Sequence, residues 1–363
     1  DTLSLHDALP ICRPLKFGLG LIFLLVVIRL AWMSDDAYIS LRTVWNVTHG
    51  YGLTWNPVER VQAYTHPLWL FLIAAARLLS GETYLTVLTV SILCSLLAVA
   101  LVLWRLTPRL PRAVAFVAML LCSQAVLDYT TSGLENPLSF LLAALFGWRW
   151  LASPAGQRPL FPLFLIGGLL TLNRLDLVLL VMPALAWLLW QQRSWRSLGL
   201  ASLALLPLLA WESFSLIYYG VPFPNTYYAK LSTGIPATEY RMQGLLYLVD
   251  IAIHDPATLL LVVLGIATAF AGGARRPLAV GLALYLAYVV SAGGDFMQGR
   301  FLSVPAFISA LMLAVGRDDL AAGASRDGGV ILSLLLVMLM AATRMFHIEG
   351  ADPLKIGRAS CRE

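Results

Sequence analysis

The chain has 363 residues, 59% of them hydrophobic, with a mean hydropathy of +0.79. Charged residues make up 12%, where a soluble globular domain carries about 25%, so a polar exterior is excluded and a helical membrane protein is implied. The formal net charge of +5 comes from arginines scattered between apolar runs, not clustered on one face, which argues against nucleic acid as a partner.

The first residues read DTLSLHDALPI and the last IGRASCRE. One DNA word resembling a sequencing adapter encodes the first, and its reverse complement encodes the second. Residues 1–11 and 356–363 are therefore read as translated scars and set aside, leaving a membrane module over 12–355. Cys361 goes with the scar. Cys94 and Cys122 lie in apolar runs and are read as small hydrophobes, with no disulfide framework or metal-binding CxxC spacing.

A bilayer core of about 30 Å needs roughly 17–25 apolar residues per helix, fewer where flanking residues snorkel. Eleven spans are predicted, at 17–33, 84–105, 112–127, 136–152, 159–173, 175–190, 197–218, 257–272, 277–292, 301–315 and 329–345. Residues 67–80, PLWLFLIAAARLLS, rise only about 21 Å and are read as an amphipathic interfacial segment. That choice gathers Arg13, Lys16, Arg105, Arg109, Arg112, Arg149, Arg158, Arg193, Arg196, Arg275, Arg276, Arg317 and Arg326 on one side, with only Asp318, Asp319 and Asp327 as acids, and that side is cytoplasmic by the positive-inside rule. The N-terminus is then cytoplasmic, and the polar stretches 34–66, 128–136, 173–176, 219–256 and 293–300 are extracytoplasmic. Polar groups collected at one face of a hydrophobic bundle form a candidate site.

In chain order, Asp35 and Asp36 follow the first span within SDDAYIS. Two adjacent carboxylates at a membrane boundary suit a general base with a raised pKa, or a cation site, and equally a solvated pair that stops a helix. Then comes a Trp- and Tyr-rich loop with Tyr38, Arg42, Asn56, Glu59, Tyr64, Thr65 and His66. Its aromatics suit sugar rings and the bilayer interface alike. Glu135 lies in SGLE, and Arg174 and Asp176 in NRLD, where they are either a structural pair or part of a site. Glu212, about two turns below the outer end of its span, is a weaker candidate. Asn225, Tyr228 and Lys230 lie in PNTYYAK, and Asp295 and Arg300 in GGDFMQGR. Lys230 and Arg300 suit either a phosphate or lipid headgroups. His66 stands among these motifs, whereas His49 and His254 read as loop residues.

The stretch DDAYISLRTVWNVTHGYGLTWNPVERVQAYTHPLW resembles the first extracytoplasmic loop of the GT-C superfamily of membrane glycosyltransferases. It is most like the actinobacterial terminal arabinofuranosyltransferases that cap cell-wall arabinan, and PNTYYAK and GGDFMQGR resemble further signatures of that family. The resemblance implies an all-α, polytopic GT-C fold. It also implies catalysis by Asp35 and Asp36, an amphipathic segment at 67–80, and a second acidic position at Glu135. Family members continue into a soluble extracytoplasmic C-terminal domain, which this chain is expected to lack. The family pattern has Gly before the Glu of WNPxE and Glu-Gly before Tyr-Thr. Here Val58 and Gln62–Ala63 stand there, leaving the sugar open.

The expected function is transfer of a sugar, with arabinofuranose the candidate, from a polyprenyl-phosphate donor to a cell-envelope glycan at a bacterial inner membrane. Nucleotide sugars are cytoplasmic, so an outward-facing transferase needs a membrane-borne donor. The proposed roles are a base at Asp36 with Asp35, and a phosphate site at Arg174, Lys230 and Arg300, joined by His66. A divalent metal beside the carboxylates is left open. The rival readings are a lipid-linked sugar flippase, which would place polar residues near midplane and show internal repeats not seen here, and a non-catalytic sugar-lipid binding protein.

Overall fold

The computed structural model describes residues 9–154, 156–231, 234–270 and 273–315, with 334, 338 and 339. The predicted segment 329–345, apart from those last three residues, and both flanking scars, except residues 9–11, lie outside them.

All regular structure among the described residues is helical. The first helices are α1 (Leu9–Arg29), α2 (Asp35–Thr48), α3 (Pro67–Ser80) and α4 (Tyr84–Arg105). Next come α5 (Leu110–Cys122), α6 (Gln124–Asp128), α7 (Asn136–Leu151), α8 (Leu160–Asn173), a 3-10 turn over Leu175–Leu177 and α9 (Val178–Gln191). The remainder are α10 (Trp195–Ala204), α11 (Leu206–Tyr219), α12 (Asn225–Leu231), α13 (Ala237–His254), α14 (Pro256–Phe270), α15 (Arg276–Ser291) and α16 (Arg300–Val315). Ten of the eleven predicted spans fall on these helices, and α3 has the bounds predicted for the interfacial segment.

Three features differ from the sequence reading. The segment 112–127 is broken at Ser123, whose hydroxyl accepts from the Val126 amide and restarts the chain as α6. The segment 197–218 is two helices bent by 56°. The stretch 219–256, read as a loop, contains the 18-residue helix α13, which meets α14 at 112°. Asp255 makes that corner: its carboxylate accepts from the Thr258 amide and hydroxyl and, at 2.9 Å, from the Ala125 amide. One buried side chain thus caps α14 and ties it to the Ser123 break.

By length and composition, α4 alone among the described helices is long and apolar enough to cross a membrane, or three segments cross if α10–α11 and α13–α14 each count as one bent span. The outer faces are apolar: α1 exposes Phe17, Leu21, Leu25 and Ile28, and α11 exposes Leu206, Leu209, Leu216 and Ile217. Inside, α4 packs on α7, α14 on α16 and α15 on α9, around aromatic pairs such as Phe140 with Phe307.

The two ends of the bundle differ chemically. At one end, Lys16 is buried and donates to the carbonyls of Leu103 and Thr107, at 2.8 Å each, closing the C-terminus of α4. Arg112 donates to Val315 at the end of α16. Cations at helix C-termini satisfy orphan carbonyls and complement the dipole. Helices α7 and α16 start at the other end, where the acidic motifs lie.

Gly133 fixes how those motifs meet. Its φ is +79°, and a Cβ there would lie 2.7 Å from that of Ala37. The loop 128–136 therefore seats directly on α2, an approach sealed by Ser34 N–H to Ser132 O at 2.9 Å and Trp69 Nε1 to Gly133 O at 3.0 Å. Gly133→Val combines left-handed strain with this clash. It should lower stability by about 3 kcal/mol or more, seen as a reduced melting temperature in detergent.

Candidate functional site

The first site helix begins with a division of labour between neighbours. Ser34 caps α2 by accepting from the Asp36 amide at 3.2 Å. Asp35 Oδ1 accepts from the same amide at 2.9 Å and from the Ser34 hydroxyl, so this exposed carboxylate completes the cap. Asp36 turns inward, with Oδ2 3.9 Å from Arg300 Nη1. The twin aspartates are therefore not equivalent.

Arg300 opens α16 and joins three carboxylates. Its Nη1 is also 3.7 Å from Asp295, and its Nη2 is 3.4 Å from Glu135 Oε1. Gly299, at φ +74°, brings this turn so close to α6 that a Cβ would sit 2.8 Å from Ala125. Glu135, fully buried at the start of α7, is the hub. Arg174 Nη1 reaches Oε1 at 3.4 Å, and His66 Nδ1 lies 3.2 Å from Oε2. Arg174 is otherwise occupied by a bidentate pair with Asp176 at 2.8 and 2.7 Å and by the Tyr285 hydroxyl at 2.8 Å. Tyr285 donates in turn to Asp176. The far side of His66 closes the circuit: Nε2 is 2.7 Å from the hydroxyl of Ser40, one turn beyond Asp36 on α2.

These surroundings set the charges. Burial pushes His66 down to about 4, outweighing the pull of Glu135, so the ring is neutral at pH 7. Nδ1 faces the Glu135 carboxylate, which favours the proton there and leaves Nε2 to accept from Ser40. Burial alone would raise Glu135. Arg300 foremost, with His66 and Arg174, overcomes it and holds this carboxyl at about 2. With His66 neutral, the two arginines carry that effect at pH 7. Asp36 goes the other way: partial burial raises it, Arg300 opposes, and Asp35, Asp295 and Glu135 add to the rise.

The structure thus brings together Asp36, His66, Glu135, Arg174, Asp176, Asp295 and Arg300 from the sequence candidates, and adds Ser40 and Tyr285. Ser40 is signalled only by its i+4 spacing from Asp36, and Tyr285 lies inside an apolar run with no signal at all. The other candidates fall elsewhere. Arg42 stacks on Trp55 at 4.2 Å and donates to Asn56, which donates to Glu59 at 2.7 Å, a self-contained brace of the loop. Tyr64 is buried and shares a 2.9 Å hydrogen bond with Tyr219. Tyr38 is exposed, and Tyr228 packs on Phe223 and Tyr227. The Asn225 amide donates to Gln62 O at 3.0 Å, and Lys230 lies in α12 with its side chain outside the described set. Arg174 and His66, each saturated by protein partners, do not present free donors to a phosphate. Arg300 is the better candidate: its side chain is 15% exposed and its contacts with Asp36, Asp295 and Glu135 are long, at 3.9, 3.7 and 3.4 Å.

Among the described residues, no three His, Cys, Asp or Glu side chains converge as metal ligands. The guanidinium of Arg300 occupies the position between Asp36 and Asp295 where a cation would sit.

Among the described residues, helices with apolar outer faces carry a largely buried charge cluster at one end and basic side chains at the other. The chain is 30% identical over 324 residues to the terminal β-(1→2)-arabinofuranosyltransferase of Mycobacterium tuberculosis, covering 76% of this chain and 51% of that protein. It is also 30% identical over 340 residues to the enzyme of the same name from Corynebacterium glutamicum, covering 78% and 48%. It is a relative of these glycosyltransferases, and it spans about half their length. No family model matches. The crystal structure of the Archaeoglobus fulgidus oligosaccharyltransferase with Zn and sulfate aligns with a TM-score of 0.46 at 17% identity, over 90% of this chain and 52% of that one.

The buried neutral imidazole makes stability depend on pH. A histidine depressed from its ordinary 6.5 to about 4 charges more readily when unfolded, so stability falls as pH drops through that window. Glu135 adds a further loss from 4.5 towards about 2. The melting temperature should decline below pH 6.5, and His66→Gln should flatten the decline between 6.5 and 4 while leaving the lower part.

Proposed function

We propose that the chain is the membrane-embedded part of a glycosyltransferase that takes its sugar from a polyprenyl-phosphate carrier and passes it to a cell-envelope glycan. The relatives' names indicate arabinofuranose as the sugar. The supporting observation is the juxtaposition of Asp36, a carboxylate with raised proton affinity, and Arg300, a cation held by its carboxylates only at 3.4 Å or more, 3.9 Å apart and both partly exposed.

Asp36 takes the proton of the acceptor hydroxyl as its oxygen forms the new bond to the anomeric carbon. The bond from that carbon to the carrier's phosphate breaks, and the electron pair leaves with the phosphate monoester. Arg300 neutralises the developing charge, and Lys230 on α12 is the second candidate cation. Glu135, Arg174, Asp176, Tyr285, Ser40 and His66 hold Arg300 and α2 in place. A phosphate arriving at Arg300 would draw its field from Asp36 and strengthen the base when the donor is bound.

The side of the membrane is read from charge. The end with Lys16 and Arg112 is assigned to the cytoplasm by the positive-inside rule, which places Asp36 outside, at an inner membrane, where soluble nucleotide sugars are absent. A lipid-borne donor meets that requirement.

In the full-length gene product, Asp36→Asn should cut transfer from polyprenyl-phosphate arabinofuranose to a synthetic arabinofuranoside by about 10²- to 10⁴-fold. Asp35→Asn, which keeps a capping side chain, should stay within several-fold of wild type. Equal losses in the two variants would overturn the assignment of the base.

A further inference from the structure

Helix α13 leaves the direction of the bundle. It meets α14 at 112°, close to perpendicular, while α14 itself packs along α15 and α16. The corner lies at the end that carries the charge cluster, because Asp255 is tied to the Ala125 amide and Ala125 also meets the Gly299 turn. A helix set across its apolar neighbours at their end runs along the border of the apolar layer, not through it.

Three sides of α13 differ in chemistry. Gly244, Tyr247 and Ile251, at i, i+3 and i+7, are buried against the protein. A Cβ on Gly244 would strike the Val290 carbonyl, so the helix backbone rests on the end of α15, and a Cβ on Gly294 would lie 2.6 Å from that of Tyr247. This side therefore seats the 293–300 turn, which carries Asp295 and Arg300. Met242, Leu245, Leu246, Val249 and Ile253, at i, i+3, i+4, i+7 and i+11, form the outward side, and each is more than half exposed. Glu239, Gln243, Asp250 and His254 make a narrow third strip, in which Asp250 and His254 pair at 2.9 Å.

Large apolar side chains exposed side by side call for a cover, and the surroundings identify it. Val280, Leu284 and Ala287 are exposed along α15, and this stripe runs up to Val290, where α13 crosses. The apolar outer surface of the bundle thus leads onto the outward side of α13. Arg241 borders that side, is exposed and has no carboxylate partner among the described residues. Its stem can lie on apolar surface while the guanidinium meets a lipid phosphate. We infer that α13 is an interfacial helix docked on the outer leaflet, with its outward side among the upper acyl chains and its polar strip in water. It thereby sets the height of Asp295 and Arg300 at the membrane border. The inference rests on the membrane-embedded reading of the bundle.

The test uses the full-length gene product in phosphatidylcholine vesicles, with a nitrobenzoxadiazole label on single introduced cysteines in a background without others. Labelled Leu246→Cys and Val249→Cys should lose about half their emission when the lipid is brominated high on the acyl chain, and less when it is brominated near the chain end. Labelled Gln243→Cys, on the polar strip, should respond to aqueous iodide instead. Leu25→Cys, on the exposed face of α1, serves as the reference and should be quenched by bromine at either depth. Labels at 246 and 249 that neither bromine nor iodide reaches would mean that protein covers this side, and labels that iodide alone reaches would mean that water does. Either result overturns the docking, while quenching of Leu25→Cys keeps the bundle in the membrane. Equal bromine quenching at 243, 246 and 249 would make α13 a submerged helix and overturn it as well. Absence of bromine quenching at Leu25→Cys would sink the membrane reading itself.

Discussion

A single buried carboxylate organises this end of the molecule. Glu135 has no exposed surface, and an ion in that position is tolerable only when opposite charge reaches it with good geometry. Arg174 comes from 39 residues away and Arg300 from 165, and His66 supplies a third contact. Those three partners stand at the ends of α8, α16 and α3, so the demand of one side chain for compensation aligns four helices. The wider cluster holds four carboxylates, Asp36, Glu135, Asp176 and Asp295, against two guanidinium groups. That excess of negative charge helps keep a proton near Asp36.

Much of the helical framework was legible because membrane segments are written in long apolar runs. The bounds of α4 and α3 follow from where charges and prolines interrupt those runs. The break at Ser123 was not legible, because a serine within an apolar stretch signals a restart only when its hydroxyl is seen to accept from the Val126 amide. Helix α13 was hidden by its mixed composition: it carries Glu239, Arg241 and Asp250 alongside exposed Met242, Leu245 and Val249, so neither hydropathy nor a clean stripe announces it.

At the site, residue types pointed to the right loops without revealing the wiring. Adjacent aspartates look alike in sequence, and only the Ser34 cap separates Asp35, spent on the helix start, from Asp36, turned towards Arg300. Arg174 and His66 have the chemistry of phosphate ligands, but each is taken up by protein partners, Arg174 by Asp176 two residues on and by the distant Glu135 and Tyr285, and His66 by Ser40 and Glu135. Arg42, Asn56 and Glu59 form a brace for the same reason: polar groups in an aromatic loop first satisfy one another. In each case the decisive fact is which partner claims a donor, and that belongs to the folded state.

The separation between Glu135 and its later partner also bears on how the protein is made. When Glu135 has just been made, the ribosome has yet to synthesise Arg300, 165 residues on, while α2 and α3 with Ser40 and His66 are already present. Until residue 300 is threaded through, the hub carries its negative charge with Arg174 as the sole guanidinium partner among those described. Completion of the pocket is therefore a late event of biogenesis, and a nascent chain halted earlier would expose an undercompensated acid to the quality-control machinery of the bilayer.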